Sequence, residues 1–254
     1  MLKVLTYNIH KGFDRRNREF VLHEIREQLE SIDVDVVFLQ EIQGRHFHHE
    51  KRIDGWPAVS QFEFLADGLW PHFAYGKNAI YQGGHHGNAI LSKYPIENWR
   101  NVNFSRFRRA SRSLLHGIVN LPGRPRRLHL ICTHLELLGF ERKRQVDIIR
   151  HHIGDYAGDD EPVIIAGDFN DWHGMMGRQF ESLLAMREAH RSMHGRYART
   201  YPANRPMLQM DRVYFRQLGL IDSHCLTTQP WGSLSDHLPL YAQFSLPDNG
   251  IARA

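Results

Sequence analysis

The chain has 254 residues, 42% hydrophobic and 24% charged, which is enough apolar material for a sizeable core and too balanced for a disordered or fibrous protein. Nothing resembling a linker, repeat or low-complexity tract divides it, so one domain spanning 1–254 is expected, with a core of about 2–246 and a short C-terminal tail. A formal charge of +4 with a pI near 9.1 leans toward polyanionic partners, and no apolar run approaches the roughly 20 residues needed to cross a bilayer.

The first stretch, MLKVLTYNIHKG, lacks a basic segment followed by a long apolar core, so it does not resemble a secretion signal. It reads as a strand from Leu2 to Ile9, with Leu2, Val4, Thr6 and Asn8 on one face and Lys3, Leu5, Tyr7 and Ile9 on the other. Val21, Ile25, Leu29 and Ile32 then recur at helical spacing, which predicts an amphipathic helix over Phe20–Ile32 covering a sheet. A second buried strand, Val34–Leu39, ends in the polar pair Gln40 and Glu41.

A short helix is expected over Phe62–Trp70, and strands over Phe73–Ile80 and Asn88–Ser92, separated by a turn region at Gly83, Gly84 and Gly87. Strands Ser113–Leu121 and Arg127–Thr133 flank Pro122, Gly123 and Pro125 as a hairpin. The second of these contains Cys132, which reads as a core residue. Cys132 and Cys225 are far apart and in no metal-ligand spacing, which suits a reducing, cytoplasmic setting. Val146, Ile149, Ile153 and Tyr156 mark the buried stripe of a helix over Phe140–Tyr156, with Arg142, Lys143 and Arg144 facing water.

The segment EPVIIAGDFNDW joins a β-branched run, Val163–Ala166, to Gly167 and the polar cluster Asp168, Asn170 and Asp171. Such a run reads as a strand covered on both faces, and α/β folds place chemistry at strand carboxyl ends. Taken alone, GDFND fits a turn as well as a site. A helix over Gln179–Met186 and strands over Asp211–Phe215, Leu220–Leu226 and Leu238–Leu246 close the chain. With strands outnumbering helices, two mixed sheets packed face to face and flanked by helices fit better than one parallel sheet.

Read in order, TYNIHKG, FLQE, HGNAILS, CTHLELL, AGDFND, MDRVYF and SDHLPL resemble the endonuclease/exonuclease/phosphatase (DNase I-like) superfamily over Leu2–Leu246. The resemblance implies a four-layer α/β sandwich and a divalent-metal-dependent phosphodiesterase that drives activated water in line against phosphorus. It implies Asn8, Glu41 and Asp236 as hard oxygen ligands for Mg²⁺ or Mn²⁺, ions that retain several waters. It also implies His237 paired with Asp211, His134 near the phosphate or leaving group, Asp168 orienting or deprotonating water, and Asn170 holding a phosphate oxygen. Either Asp168 or the histidine dyad could take the proton. Asn88 and Arg112 are further candidates for phosphate contact, although Asn88 also fits a turn and Asp211 could instead pair with Arg212.

The pairs His48/His49, His85/His86 and His151/His152 lack the spacing of a helical zinc site and read as surface or substrate-rim residues. His134, and Ile42 after Glu41, depart from the AP-endonuclease branch, which resembles this chain less than the histidine-containing branches do. A nuclease is the first expectation, because FSRFRRASR could place Arg106, Arg108 and Arg112 along a polyanion with Phe107 opposite. A solvated basic loop is the plain alternative. The second expectation is a phospholipid or phosphoinositide head group, with Trp56, Trp70, Trp99 and Trp231 available for lipid contact. The third, a non-catalytic phosphate-binding module, would need a missing carboxylate or histidine, and none is missing. A monomer is expected.

Overall fold

The computed structural model describes residues 1–104, 112–124 and 126–246. Along the chain these residues form β1 (Leu2–Asn8), α1 (Leu22–Ile32), β2 (Val36–His46), α2 (His49–Arg52), α3 (Gln61–Ala66), β3 (His72–Tyr81) and β4 (Gly84–Ser92). There follow β5 (Ile96–Asn103), β6 (Ser113–Asn120), β7 (Arg127–His134), α4 (Gly139–Tyr156), β8 (Val163–Asp168) and α5 (Gly177–Leu184). The chain closes with β9 (Arg187–Glu188), α6 (Ala189–His194), β10 (Asp211–Arg216), β11 (Gly219–Cys225), α7 (Trp231–Leu234) and β12 (Leu240–Ser245).

Two mixed six-stranded sheets result, ordered β11-β12-β1-β2-β4-β3 and β5-β6-β7-β8-β10-β9. Strand alternation explains how they pack. Leu2, Val4, Phe38 and Ile90 of the first sheet meet Leu130, Cys132, Ile164, Ala166 and Val213 of the second in one buried layer. The opposite faces are covered by helices: α1 and α3 lie on Leu5, Tyr7, Val37 and Leu39, while α4 and α5 lie on Ile131, Val163, Ile165 and Tyr214. The expected four-layer sandwich is therefore present, and β8 is buried on both faces.

Several expectations need correction. β5, IENWRNVN, has no clean apolar alternation and was not foreseen; it is a largely exposed edge strand. Gly84 and Gly87 lie inside β4, not in a turn. At Gly87 a Cβ would sit 1.8 Å from the Gly76 carbonyl oxygen, so the close approach of β3 requires glycine. Trp70 and Trp231 are core residues, which removes both from any lipid-contacting role. Arg142 is buried rather than solvated. Arg106, Phe107 and Arg108 lie outside the described residues.

His152 is also buried, in a chain of imidazoles beneath α4. Its Nε2 lies 2.9 Å from Nδ1 of His116, whose Nε2 lies 2.9 Å from Nδ1 of His129, whose Nε2 lies 3.1 Å from the Glu161 carboxylate. Since Glu161 only accepts, each Nε2 carries the proton and donates toward it, and all three rings are neutral. Burial lowers all three pKa values, that of His116 to about 3.

Candidate active site

Where the layer between the sheets reaches the ends of β1, β2, β7 and β8, the alternation that supplies apolar residues further in supplies polar ones. Asn8 continues the face of Val4 and Thr6; His134, Asp168 and Asp211 continue those of Cys132, Ala166 and Val213. Asn8, His134 and Asp168 meet in a cleft of about 400 Å³ that is also lined by Glu41, Arg112, Asn170, Asp236 and His237, with Asp211 fully buried behind His237. Ser113, His134, Asp168 and Asp211 are register partners across β6, β7, β8 and β10.

Two backbone devices set this geometry. β2 carries one extra residue between Leu39 and Ile42, and Glu41 there has φ +55°. A bulge of this kind re-aims a side chain: Ile42 stays on the helix-covered face while Glu41 turns to the cleft. In β8, Gly167 has φ +150°, and a Cβ there would lie 1.9 Å from the Thr133 carbonyl oxygen. Only glycine lets β8 close on β7 at this point, which brings Asp168 beside His134.

Asp168 is the hub. Its Oδ2 accepts from Asn8 Nδ2 at 3.2 Å and lies 3.3 Å from His134 Nε2 and 3.7 Å from His237 Nε2. Its Oδ1 accepts from the Asn170 backbone N–H at 2.9 Å. Burial raises its pKa to about 6, against the pull of His237. His237 Nδ1 lies 2.9 Å from Asp211 Oδ2. Burial disfavours the His237 imidazolium, but Asp211 and Asp168 outweigh that and push its pKa up to about 10. Asp211 therefore pairs with His237. Arg212 points elsewhere, to the carbonyl oxygens of Gln209 and Asp171, and lies over the Tyr197 ring.

His134 is driven well below its ordinary pKa by burial and by Arg112. Arg112 lies 3.3 Å from His134 Nδ1, so the neutral ring keeps its proton on Nε2 and directs it at Asp168. Asn170 gives one amide hydrogen to the Leu135 carbonyl at 2.8 Å and has a second to offer. Asn88 is a strand residue, not a turn residue. Its amide group donates to Ser113, and it does not border the cleft. Asp171 accepts from the backbone of Met175 and Met176, fixing the following loop.

The oxygen donors lie on the first-sheet side. Burial alone would raise the Glu41 carboxyl, yet Lys11, 2.8 Å away, and Arg112 keep it well below the usual carboxylate range. Glu41, Asp236 and the Asn8 carboxamide offer hard oxygen atoms to one cleft. Among the described residues, no three Asp, Glu, His or Cys side chains form a ready metal cage. Mg²⁺ fits such a set, because it takes one or two carboxylates and keeps several waters. Lys11, Trp172 and Tyr201 escaped the sequence reading. Lys11 lies within TYNIHKG itself, whereas Trp172 and Tyr201, on loops beside the cleft, carry no distinguishing pattern.

The two facing sheets thus bring oxygen donors, a buried carboxylate and two histidines to one cleft. The Endonuclease/Exonuclease/phosphatase family model matches residues 5–237, and the chain belongs to that family, which places it among phosphoester hydrolases. It is 40% identical over 244 residues to Uncharacterized protein YbhP of Escherichia coli (strain K12), covering 96% of each chain. In structure it is similar to the endonuclease/exonuclease/phosphatase from Beutenbergia cavernae, with TM-score 0.77, 20% identity and coverage of 96% of this chain and 71% of that one. It is likewise similar to D. rerio TDP2 complexed with single strand DNA product, with TM-score 0.71, 19% identity and coverage of 96% and 98%. Among the described residues no helix is long and apolar enough to cross a membrane.

Proposed function

We propose that the protein is a divalent-metal-dependent phosphodiesterase. The observation that carries this reading is the placement of Glu41, Asn8 and Asp236 across one cleft from Asp168 and His237. Glu41 and Asp236, with the Asn8 carboxamide oxygen, would hold Mg²⁺ or Mn²⁺, which supplies charge neutralisation at the phosphate when bound.

The remaining work falls to the protein's own groups. Asp168, buried yet ionisable near neutrality, takes a proton from water as the water oxygen bonds to phosphorus. The phosphorus–oxygen bond opposite breaks, leaving a phosphomonoester and an alcohol whose oxygen acquires a proton from solvent. His237, held cationic by Asp211, faces the charge that develops on the phosphate oxygens. Asn170 offers its second amide hydrogen to the same oxygens. His134 is a positioning residue that aims Asp168, and Arg112 fixes its tautomer.

The test is hydrolysis of bis-p-nitrophenyl phosphate in Mg²⁺ or Mn²⁺. Activity should vanish with EDTA and fall by about 10²–10⁴ in Asp168→Asn, the range for a lost general base. Full activity in EDTA, or in that variant, defeats the reading. A nuclease remains the expectation drawn from the resemblance and finds support in the likeness to TDP2 with its DNA product. Of the basic stretch behind the same expectation, residues 105–111 lie outside the described residues, while Arg112 lines the cleft.

A further inference from the structure

The turn that follows β1 is held in an unusual backbone. His10, Lys11 and Gly12 have φ values of +46°, +61° and +78°, so two residues with side chains occupy the left-handed region that favours glycine. Residues in that region cost energy, persist only where their surroundings fix them, and collect at functional sites. Here the surroundings do fix them. The Gly12 and Phe13 N–H groups donate to the carbonyl oxygens of Ile9 and His10 at 2.8 and 3.1 Å. Gln61, fully buried at the start of α3, donates from Nε2 to the Lys11 carbonyl oxygen at 2.8 Å and accepts at Oε1 from the Gln43 N–H at 2.9 Å. One side chain thus ties the turn to β2 two residues beyond Glu41.

This turn reaches all three of the oxygen donors named above. Lys11 Nζ lies 2.8 Å from Glu41 Oε2, the two side chains being 34% and 21% exposed. The His10 backbone N–H donates to Asn8 Oδ1 at 3.1 Å. The His10 ring donates from Nδ1 to the Asp14 carbonyl oxygen at 3.2 Å, and the same nitrogen stands 4.0 Å from Asp236 Oδ1. The oxygens that a divalent cation would use are therefore already faced by donors of the chain itself, one of them a full positive charge.

Resting on the metal-dependent reading above, we propose that Lys11 is a built-in competitor for the divalent cation: its ammonium neutralises and aims Glu41 in the metal-free protein, and thereby weakens the metal's hold on the same carboxylate. Two cations on one carboxylate oxygen repel. Lys11 must therefore yield Glu41 Oε2 when the metal uses it, and its half-exposed, flexible four-carbon stem lets the ammonium swing into solvent. Lys11 acts through Glu41 and is a positioning residue. A lysine that only held the fold together would have the opposite influence, because keeping Glu41 in place would strengthen metal binding. The two roles are separated by the sign of the change when the charge is removed.

The experiment measures Mn²⁺ binding to the full chain by titration calorimetry, together with the melting temperature in the absence of metal. Lys11→Met should bind Mn²⁺ roughly tenfold or more tightly than the wild type, even though its metal-free melting temperature falls as Glu41 loses its partner. Lys11→Gly removes the same charge and relieves the backbone, so it should melt above Lys11→Met and bind Mn²⁺ as tightly. Lys11→Arg keeps the charge and should stay within about threefold of the wild type. In a Glu41→Gln background, Lys11→Met should not restore binding. Unchanged or weaker Mn²⁺ binding in Lys11→Met and Lys11→Gly overturns the proposal. No Mn²⁺ binding by any protein with Glu41 intact overturns it and the metal-dependent reading together. Tighter binding in both variants, without hydrolysis of bis-p-nitrophenyl phosphate by the wild type, would uphold the role of Lys11 and sink the hydrolase reading alone.

Discussion

The buried imidazole chain makes stability depend on pH in a calculable way. His116 is neutral in the folded protein with its pKa pushed down to about 3, whereas in the unfolded chain it titrates near 6.5. Below that value the unfolded state binds the extra proton, so the stabilisation is complete above about pH 6.5 and drains away as pH falls. Between about pH 7.5 and about pH 5, His116 alone withdraws about 2 kcal/mol. His129 and His152, also lowered by burial, act in the same direction. Burial is the largest part of that cost, and protonating His116 would also set an N–H against the donor on His152. Urea unfolding of the wild type and of His116→Gln at both pH values provides the measurement. Glutamine can donate and accept in the same chain but does not titrate. The variant should be less stable at pH 7.5, and its further loss on acidification should be smaller than the wild type's by about 2 kcal/mol or more. Identical acid sensitivity in the two proteins refutes the assignment of neutral, hydrogen-bonded rings.

Three further outcomes follow from the cleft. Gly167→Ala forces a Cβ into the Thr133 carbonyl and should cost about 3 kcal/mol or more; an unchanged melting temperature would contradict the close-approach argument. Glu41→Gln should abolish the rise in melting temperature that Mg²⁺ or Mn²⁺ gives the wild type while leaving the metal-free protein folded, and an undiminished rise removes Glu41 from the ligand set. Asp211→Asn should lower kcat by about 10²–10⁴ with that metal-induced rise intact, because Asp211 touches His237 and no proposed ligand; wild-type kcat in this variant would show the dyad to be idle.

Much of this architecture is readable from residue pattern. Alternation in β1 and the β-branched run of β8 mark strands, and Asn8, Glu41, His134, Asp168 and Asp236 all fall at or near the end of a predicted strand. What stayed hidden depends on contacts between distant segments. β5 has no amphipathic pattern because one edge strand of the second sheet lies mostly in solvent. Arg142 looks like a surface cation until the turn after β7 presents carbonyl oxygens to it. The imidazole chain draws on β6, β7 and α4, and no spacing announces it. The extension of β2 to His46 depends on pairing with β4, which the polar residues after Leu39 do not suggest.

The single rung from Ser113 to Asp211 means that the separations within the reactive group are dictated by hydrogen-bonded ladders, with strands about 4.8 Å apart. The loops above that rung can therefore be exchanged or enlarged without disturbing how far Asp168 stands from His134 or Asp211. The proposed groups on the strands are thereby held apart from the loops, so grafting loops that spare Asn170, Asp236 and His237 should redirect what this scaffold binds before it alters what it does.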